Sequence, residues 1–192
     1  MKKVASIISV GSWNPKIFNP EWVSANVFAM PEGETMDIRL NDKQMTLTYI
    51  WKDIMFSMTD KGIELKTEKC EAQVLQLMEA IYKHLMEVLQ YTPITAFGYN
   101  LNLSLTAEEY AKTKISGLVQ MQVLDIYKET SHSFTAVKDG VLRTFDIRSI
   151  EDGAEIRCNF HYTQKNSLPN EGTVFNIIAS EFQHFLGYEL DI

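Results

Sequence analysis

The sequence contains few cysteines, prolines and glycines, and each shortage excludes a class of protein. Only Cys70 and Cys158 occur among 192 residues. A disulfide framework is therefore disfavoured, and we expect two buried thiols in a reducing, cytoplasmic compartment. The five prolines and nine glycines form no Pro-rich or Gly/Ser-rich run, so nothing marks a flexible linker. We expect a single compact domain over residues 1–192.

Long apolar runs are also absent, which disfavours a membrane-spanning role. No stretch approaches the roughly 20 apolar residues that cross a bilayer. Residues 4–10, which follow Lys2 and Lys3, faintly imitate a secretory signal. The apolar run is only about seven residues long, however, and it leads to Trp13 and Pro15 rather than to a small-residue cleavage site. We interpret it as the first strand and expect no membrane partner.

Positive charge is scarce, which disfavours nucleic acid as a partner. The chain has 18 Lys and Arg against 25 Asp and Glu, and its formal net charge is −7. Binding to a phosphate backbone needs clustered basic side chains that displace counterions. No stretch of the sequence has more than two adjacent basic residues.

Catalytic and metal-binding motifs are missing as well. The sequence has no G-x-S-x-G elbow, no Walker loop and no G-x-G-x-x-G, which are the motifs of nucleophile elbows and phosphate loops. Neither cysteine belongs to a C-x-x-C, and no histidine lies three to five residues from another. We predict no catalytic residue, no metal and no cofactor, and a protein without enzymatic activity is favoured over an enzyme.

The pattern that is present repeats, since the second half of the chain follows the order of elements of the first. Each half opens with a strand of alternating polarity, continues with a capped helix start and several short strands, and closes with an amphipathic helix. In the first half these elements are residues 4–10, 20–28, 35–67 and 71–90; in the second half they are residues 94–105, 106–115, 134–163 and 173–187. Residues 118–128 are ambiguous, with a slight preference for helix.

These patterns predict an α+β fold in which antiparallel sheet packs against long amphipathic helices. The one-sided alternation of residues 35–67 is typical of antiparallel strands with one buried face. Asp139-Gly140 predicts a tight hairpin between two later strands. The repeated order predicts an internal duplication of a β-α-β(3-4)-α unit, with pseudo-repeats at residues 1–92 and 93–192.

The segment 71–90 gives the clearest helical pattern. Its apolar residues recur at steps of three and four and so form one stripe. We predict that the helix buries Val74, Leu77, Met78, Ile81, Leu85, Val88 and Leu89, and that Glu79 lies mainly outside this stripe.

The strand that opens the second half carries the first candidate binding surface. Phe97, Tyr99 and the following leucines alternate with small or polar residues, among them Gly98, Asn100 and Asn102. Small side chains permit close approach by another backbone, a helix or a ligand. Asparagines supply both donors and acceptors.

Aromatic residues near Pro15 and Pro20 form the second candidate. Trp13, Phe18 and Trp22 lie in a segment of low predicted regularity. Such a cluster lines a pocket, docks a partner or, more often, forms a lid over the core.

Two functional hypotheses from different classes follow. The first is a non-catalytic binding or assembly protein of the bacterial or phage cytoplasm that self-associates and holds a protein partner with its sheet edge or the aromatic segment. The alternative is a small-molecule binding protein or enzyme, with a cavity between a curved sheet and its helices that is lined by Trp13, Trp22, Gly98, Asn100 and Asn102.

Overall fold

A computed structural model describes residues 1–41, 46–59, 62–116, 130–150, 152–163 and 174–187. These residues form one nine-stranded sheet and four α-helices, with a short 3-10 helix at Pro15–Ile17. All strand pairs of the sheet are antiparallel. The predicted α+β class and antiparallel sheet are confirmed.

The strands and helices follow the predicted order. The strands are β1 (Lys2–Gly11), β2 (Asp37–Asn41), β3 (Thr46–Trp51), β4 (Ile54–Met58), β5 (Gly62–Thr67), β6 (Ile94–Thr106), β7 (Thr130–Lys138), β8 (Val141–Ile150) and β9 (Gly153–Tyr162). The helices are α1 (Pro20–Asn26), α2 (Ala72–Val88), α3 (Ala107–Ala111) and α4 (Val174–Leu186).

The sheet is continuous across both halves of the chain. Its strand order is β2-β3-β4-β5-β1-β6-β9-β8-β7, so β1 and β6 are neighbours at the centre. Strands β2 to β5 lie on the β1 side, and β7 to β9 lie on the β6 side. Each half of the chain therefore builds one side of the sheet, with its first strand innermost.

All four described helices lie on one face of the sheet. The α2 residue Tyr82 packs on Phe97 with ring centroids 5.8 Å apart, and the α4 residue Phe175 packs on Tyr99 at 5.5 Å. Phe97 and Tyr99 are buried and point to the same face, because side chains alternate along a strand. The α3 residue Tyr110 reaches the same side of the sheet through Ser149. On the opposite face, no described helix covers the strands; we call this the open face.

Helix boundaries differ from the predictions where capping decides them. α3 begins as predicted with the Thr106–Glu109 capping box, but it ends at Ala111 rather than near Ile115. α1 ends at Asn26, two residues earlier than predicted. α4 ends before Gly187, whose φ of +86° is the left-handed conformation expected at a helix C-terminus.

The buried stripe of α2 is rotated from the predicted one. Leu75, Glu79, Tyr82 and Met86 are buried, whereas Val88 is exposed. The prediction that Glu79 lies outside the stripe was wrong, because a buried partner on α4 accommodates its carboxylate, as described below.

Two further predictions concern turns and loops. The Asp139-Gly140 hairpin is confirmed: both residues have positive φ, +54° and +76°, as a type I′ turn requires. The predicted preference for helix at residues 118–128 lies outside the described residues.

Candidate functional site

The small and polar residues of β6 lie on the open face. Gly98, Asn100 and Asn102 alternate with Phe97 and Tyr99, which face the helices. Across the strand pairs, Ser6 faces Asn100 from β1, and Asn159 faces it from β9. Residues in register on neighbouring strands point to the same face. The centre of the open face is therefore polar.

Both asparagines are held by hydrogen bonds from β9. Asn159 donates from Nδ2 to Oδ1 of Asn100 at 2.7 Å, and Arg157 donates from Nε to Oδ1 of Asn102 at 3.1 Å. In each of these β6 asparagines, the side-chain oxygen accepts a hydrogen bond from β9, and the NH₂ group can still donate to another acceptor. Asn100 is only 8% exposed, so its orientation is also restricted by packing.

Gly98 forms the floor of a shallow depression of about 150 Å³ whose sides include Ile8, Val10 and His161. A Cβ atom at Gly98 would lie 3.0 Å from Nδ2 of Asn159. A larger residue here would fill the depression and press on the Asn159 amide that holds Asn100. The absence of a side chain therefore shapes this part of the open face.

The three aromatic candidates are brought together on the helix-covered side. Phe18 is buried and contacts Trp22 at 5.1 Å, Trp13 at 6.5 Å and Phe56 of β4 at 5.5 Å between ring centroids. Tyr49 of β3 donates its hydroxyl to the backbone oxygen of Phe18 at 2.6 Å. The cluster packs as a lid over the core of the first half.

Local capping explains why this segment folds onto the sheet. Asn14 Oδ1 accepts from the backbone N–H of Lys16 at 3.1 Å, and Asn19 Oδ1 accepts from that of Trp22 at 2.9 Å. Each asparagine starts a short helix with a proline in its first turn. The two caps fix the chain direction on either side of Phe18.

The two predicted sets of site residues do not line one cavity. Trp13 and Trp22 lie on the helix-covered side through their contacts with Phe18, whereas Gly98 and Asn102 lie on the open face. The sheet itself separates them. A cavity lined by both sets, as the alternative hypothesis requires, does not fit this arrangement.

Sequence reasoning missed the buried carboxylate of Glu79. Its Oε1 accepts the backbone N–H of Phe175 at 3.0 Å, in the first turn of α4, where helix amides lack partners. This contact joins α2 of the first half to α4 of the second. Burial, and then the nearby Glu79 charge, raise the pKa of Tyr99. The signal in the sequence was the spacing Leu75, Glu79, Tyr82, Met86.

The other titratable core groups are held in their neutral forms. Burial raises the pKa of Tyr82 and that of the Cys158 thiol, and it raises the pKa of Cys70 to about 11. Both cysteines are free and buried. At neutral pH these groups are protonated, which makes them poor nucleophiles.

Sequence reasoning also missed a larger hollow on the open face. Strands β6, β9, β8 and β7 form its floor, and its volume is about 610 Å³. Its polar lining comes from residues of different strands, such as Asn102 of β6, Asp146 of β8 and Arg157 of β9. Only the register of the strands brings them together.

Among the described residues, no group of three His, Cys, Asp or Glu side chains lies close enough to hold a metal ion. Within the same ranges, no helix is both long and apolar enough to cross a membrane. No protein-family model and no curated protein sequence matches the chain.

Proposed function

We propose that the chain is a non-catalytic assembly protein that pairs with a second copy of itself through the edge strand β7. The observation that carries this proposal is that β7 is a long, exposed edge strand with almost no charged side chains. Among the described strands it pairs with β8 alone, and residues 133–138 are exposed on both faces of the strand. In the predicted alternative partner surface, the aromatic segment, Phe18 is buried and Trp13 and Trp22 are half-buried by packing on it.

An edge strand presents backbone groups that lack partners. In an antiparallel pair, alternate residues direct their N–H and C=O groups away from the neighbouring strand. β7 has nine residues and contains no proline. Proteins usually blunt such edges with charge, proline or short length, and an unblunted edge is a template for another strand.

Charge favours β7 over the rest of the surface for contact between copies. The chain has a net charge of −7, so two copies repel each other. Residues 130–137 contain no Asp, Glu, Lys or Arg, so these residues add no charge of their own to that repulsion. An antiparallel pair of identical strands also satisfies two-fold symmetry, in which both copies use the same surface.

Exposed apolar side chains would add to the backbone pairing. Phe134 and Val137 are large, exposed and on opposite faces of β7. Cross-strand pairs of aromatic and β-branched side chains each contribute roughly 0.2–1 kcal/mol. Pairing of two β7 strands would bring such side chains together on both faces of an extended sheet.

Size-exclusion chromatography with light scattering tests the proposal. We expect a mass of twice the 22.0 kDa chain, which falls to 22.0 kDa on dilution. Val137→Lys should weaken the dimer by about 30-fold or more, since a charged side chain on an edge strand opposes pairing with another strand. Val137 is 72% exposed, so the monomer should keep its stability.

The matched control is Leu40→Lys on β2, the other edge, where Leu40 is 55% exposed. We expect it to leave the dimer unchanged. A strict monomer at all concentrations, or equal sensitivity to both substitutions, would overturn the proposal.

We further propose that residues 1–92 and 93–192 are duplicated units within one domain. The support is the strand order, in which β1 and β6 are central neighbours and each half places its later strands progressively closer to its first strand. A crystal structure tests this. Superposing residues 1–92 on residues 93–192 should require a rotation close to half a turn, as an approximate two-fold axis demands. Different topologies in the residues before and after Pro93 would contradict the duplication.

We also propose a cytoplasmic location, which the two free, buried thiols support. Fractionation of the cells of origin, with an antibody against the chain, tests this. We expect the chain in the cytoplasmic fraction, and recovery only from an oxidising compartment would contradict it.

A further inference from the structure

The polar hollow on the open face has the size of a small-molecule site. Its volume of about 610 Å³ lies within the range of roughly 300–1,000 Å³ that is typical of ligand pockets. The floor consists of four adjacent strands of a sheet rather than of loops. Groups on such a floor are positioned more firmly than groups on loops.

One row of residues crosses the hollow in register. Asn102 of β6 faces Arg157 of β9, Arg157 faces Asp146 of β8, and Asp146 faces Ser133 of β7. Residues directly opposite each other have Cβ atoms about 5 Å apart and point to the same face. The row therefore presents an amide, a guanidinium, a carboxylate and a hydroxyl side by side.

The guanidinium of Arg157 is oriented and still has free donors. Its Nε donates to Asn102 Oδ1 at 3.1 Å, and its other nitrogens have no partner among the residues that the structure describes. A planar guanidinium with two free donors fits a carboxylate in a bidentate geometry.

Asp146 complements Arg157 without neutralising it. Its carboxylate forms no ion pair within the described part of the chain, although Arg157 is its neighbour across the strands. An ion pair between these two side chains would be weak, because Arg157 is exposed to solvent. A ligand that binds both charged groups would therefore lose little free energy by breaking such a pair.

The balance of charge in the hollow selects a neutral ligand with separated charges. The lining contains two guanidinium groups and two carboxylates, from Arg148, Arg157, Asp146 and Glu155. Arg148 and Glu155 are paired at 3.5 Å. This leaves one positive and one negative group, at adjacent positions of one row, for a ligand.

We propose that this hollow binds a small zwitterion with one carboxylate and one ammonium group, the class of free amino acids and short peptides. The ligand carboxylate would accept from Arg157, and its ammonium group would donate to Asp146. The NH₂ group of Asn102 and the hydroxyl of Ser133 would satisfy the remaining polar atoms. This site does not depend on pairing of β7, since Arg157 lies two strands inside the edge.

Titration of the full chain with alanyl-alanine and with each free amino acid, followed by NMR of the backbone amides, tests the proposal. We expect at least one zwitterion to shift amides of β6, β8 and β9. For that ligand, acetylation of the amine or amidation of the carboxylate should each weaken binding about tenfold or more, since each removes a charged hydrogen bond.

Two variants test the assigned roles. Arg157→Gln and Asp146→Asn should each weaken the zwitterion about tenfold or more. Arg157→Gln should bind the amidated probe no more weakly than the wild type does, because that probe lacks the carboxylate. Arg39→Gln, on the open face of β2, is the matched control and should change nothing. Melting temperatures confirm that each variant is folded, and if one is not, the blocked probes test the same contacts on the wild type.

Three results would overturn the proposal: no amide shift with any zwitterion at millimolar concentration, equal binding of the blocked and free probes, or unchanged binding in both variants. A chain that is monomeric but shows the expected probe dependence would refute the proposed assembly and leave this site supported.

Discussion

The two edges of the sheet are similar in exposure and different in chemistry. β2 and β7 both have exposed residues on each face. β2 has five residues and carries Asp37 and Arg39, whereas β7 has nine residues and its only acidic or basic side chains are those of His132 and Lys138. Short length and charge are devices that keep a strand from pairing with another chain. The comparison indicates that exposure alone does not define an interaction edge.

The largest expected effect is on the free energy of unfolding, which should fall far more for a substitution at the centre of the sheet than for one on the β7 edge. Phe97 is 2% exposed and stacks on Tyr162 at 4.8 Å, whereas Phe134 of β7 is 42% exposed. Phe97→Ala should lower the free energy of unfolding by about 3–5 kcal/mol, because it leaves a cavity in the core. Phe134→Ala should cost under about 1 kcal/mol in the monomer.

Urea unfolding in dilute solution measures both changes. Equal losses for the two variants would show that β7 is as deeply packed as the centre, which contradicts its assignment as a free edge.

The dependence of the dimer on ionic strength tests the contrast between the nearly uncharged β7 edge and the negative charge of the whole chain. Two copies with a net charge of −7 repel, and salt screens that repulsion over roughly 10 Å at 0.1 M. Raising the salt concentration should therefore strengthen the dimer several-fold. Sedimentation equilibrium at low and high salt measures this, and weakening by salt would indicate an interface held by ion pairs instead.

Removing charge from β2 should make the two edges more alike. In the Val137→Lys variant, pairing through β7 is blocked. Adding Asp37→Thr and Arg39→Thr to this variant should restore only weak association, with a gain in the free energy of association of under about 1 kcal/mol. β2 would still have five residues. Light scattering of this triple variant beside Val137→Lys alone measures the gain. Full recovery of the dimer would show that charge, and not length, protects β2.

The smallest effect is expected away from both edges, where α3 meets β1. The N-terminal ammonium of Met1 donates to Glu109 at 2.6 Å, and the Thr106 N–H donates to it at 2.8 Å. These bonds lower the pKa of Glu109 from 4.5 to about 2. Since the pKa is lower in the folded state, the stabilisation is full above about pH 4.5 and is lost as the pH falls towards 2.

NMR titration of the Glu109 carboxyl carbon measures this pKa directly. Titration of Glu109 near pH 4.5 would contradict the contact. Neither result should alter the dimer.

The parts of the fold that depend on local pattern were predictable from the sequence. The alternation of β6 correctly separated Phe97 and Tyr99 from Gly98 and Asn100, because a strand places successive side chains on opposite faces. The Asp139-Gly140 turn was equally predictable, since few residue pairs adopt positive φ at both positions.

The parts that depend on distant contacts were not predictable. Glu79 is buried because it binds the N–H of Phe175, which lies 96 residues away. The row from Asn102 to Ser133 exists only through the register of four strands. The separation of the two predicted site sets by the sheet likewise follows from which face the helices cover. The periodicity of a sequence predicts on which face of its own helix or strand a residue lies. It does not predict which residues of other elements that residue contacts.

Hydrogen exchange of the backbone amides tests whether β7 pairs with the β7 of a second copy. The comparison is between peptides that cover Thr130–Lys138 and Asp37–Asn41, each measured at a low and a high protein concentration. We expect β7 amides to exchange more slowly at high concentration, because a second β7 strand accepts their hydrogen bonds, and β2 amides to exchange at the same rate at both concentrations. Exchange in β7 that is independent of concentration, in a chain that light scattering shows to be dimeric, would contradict it.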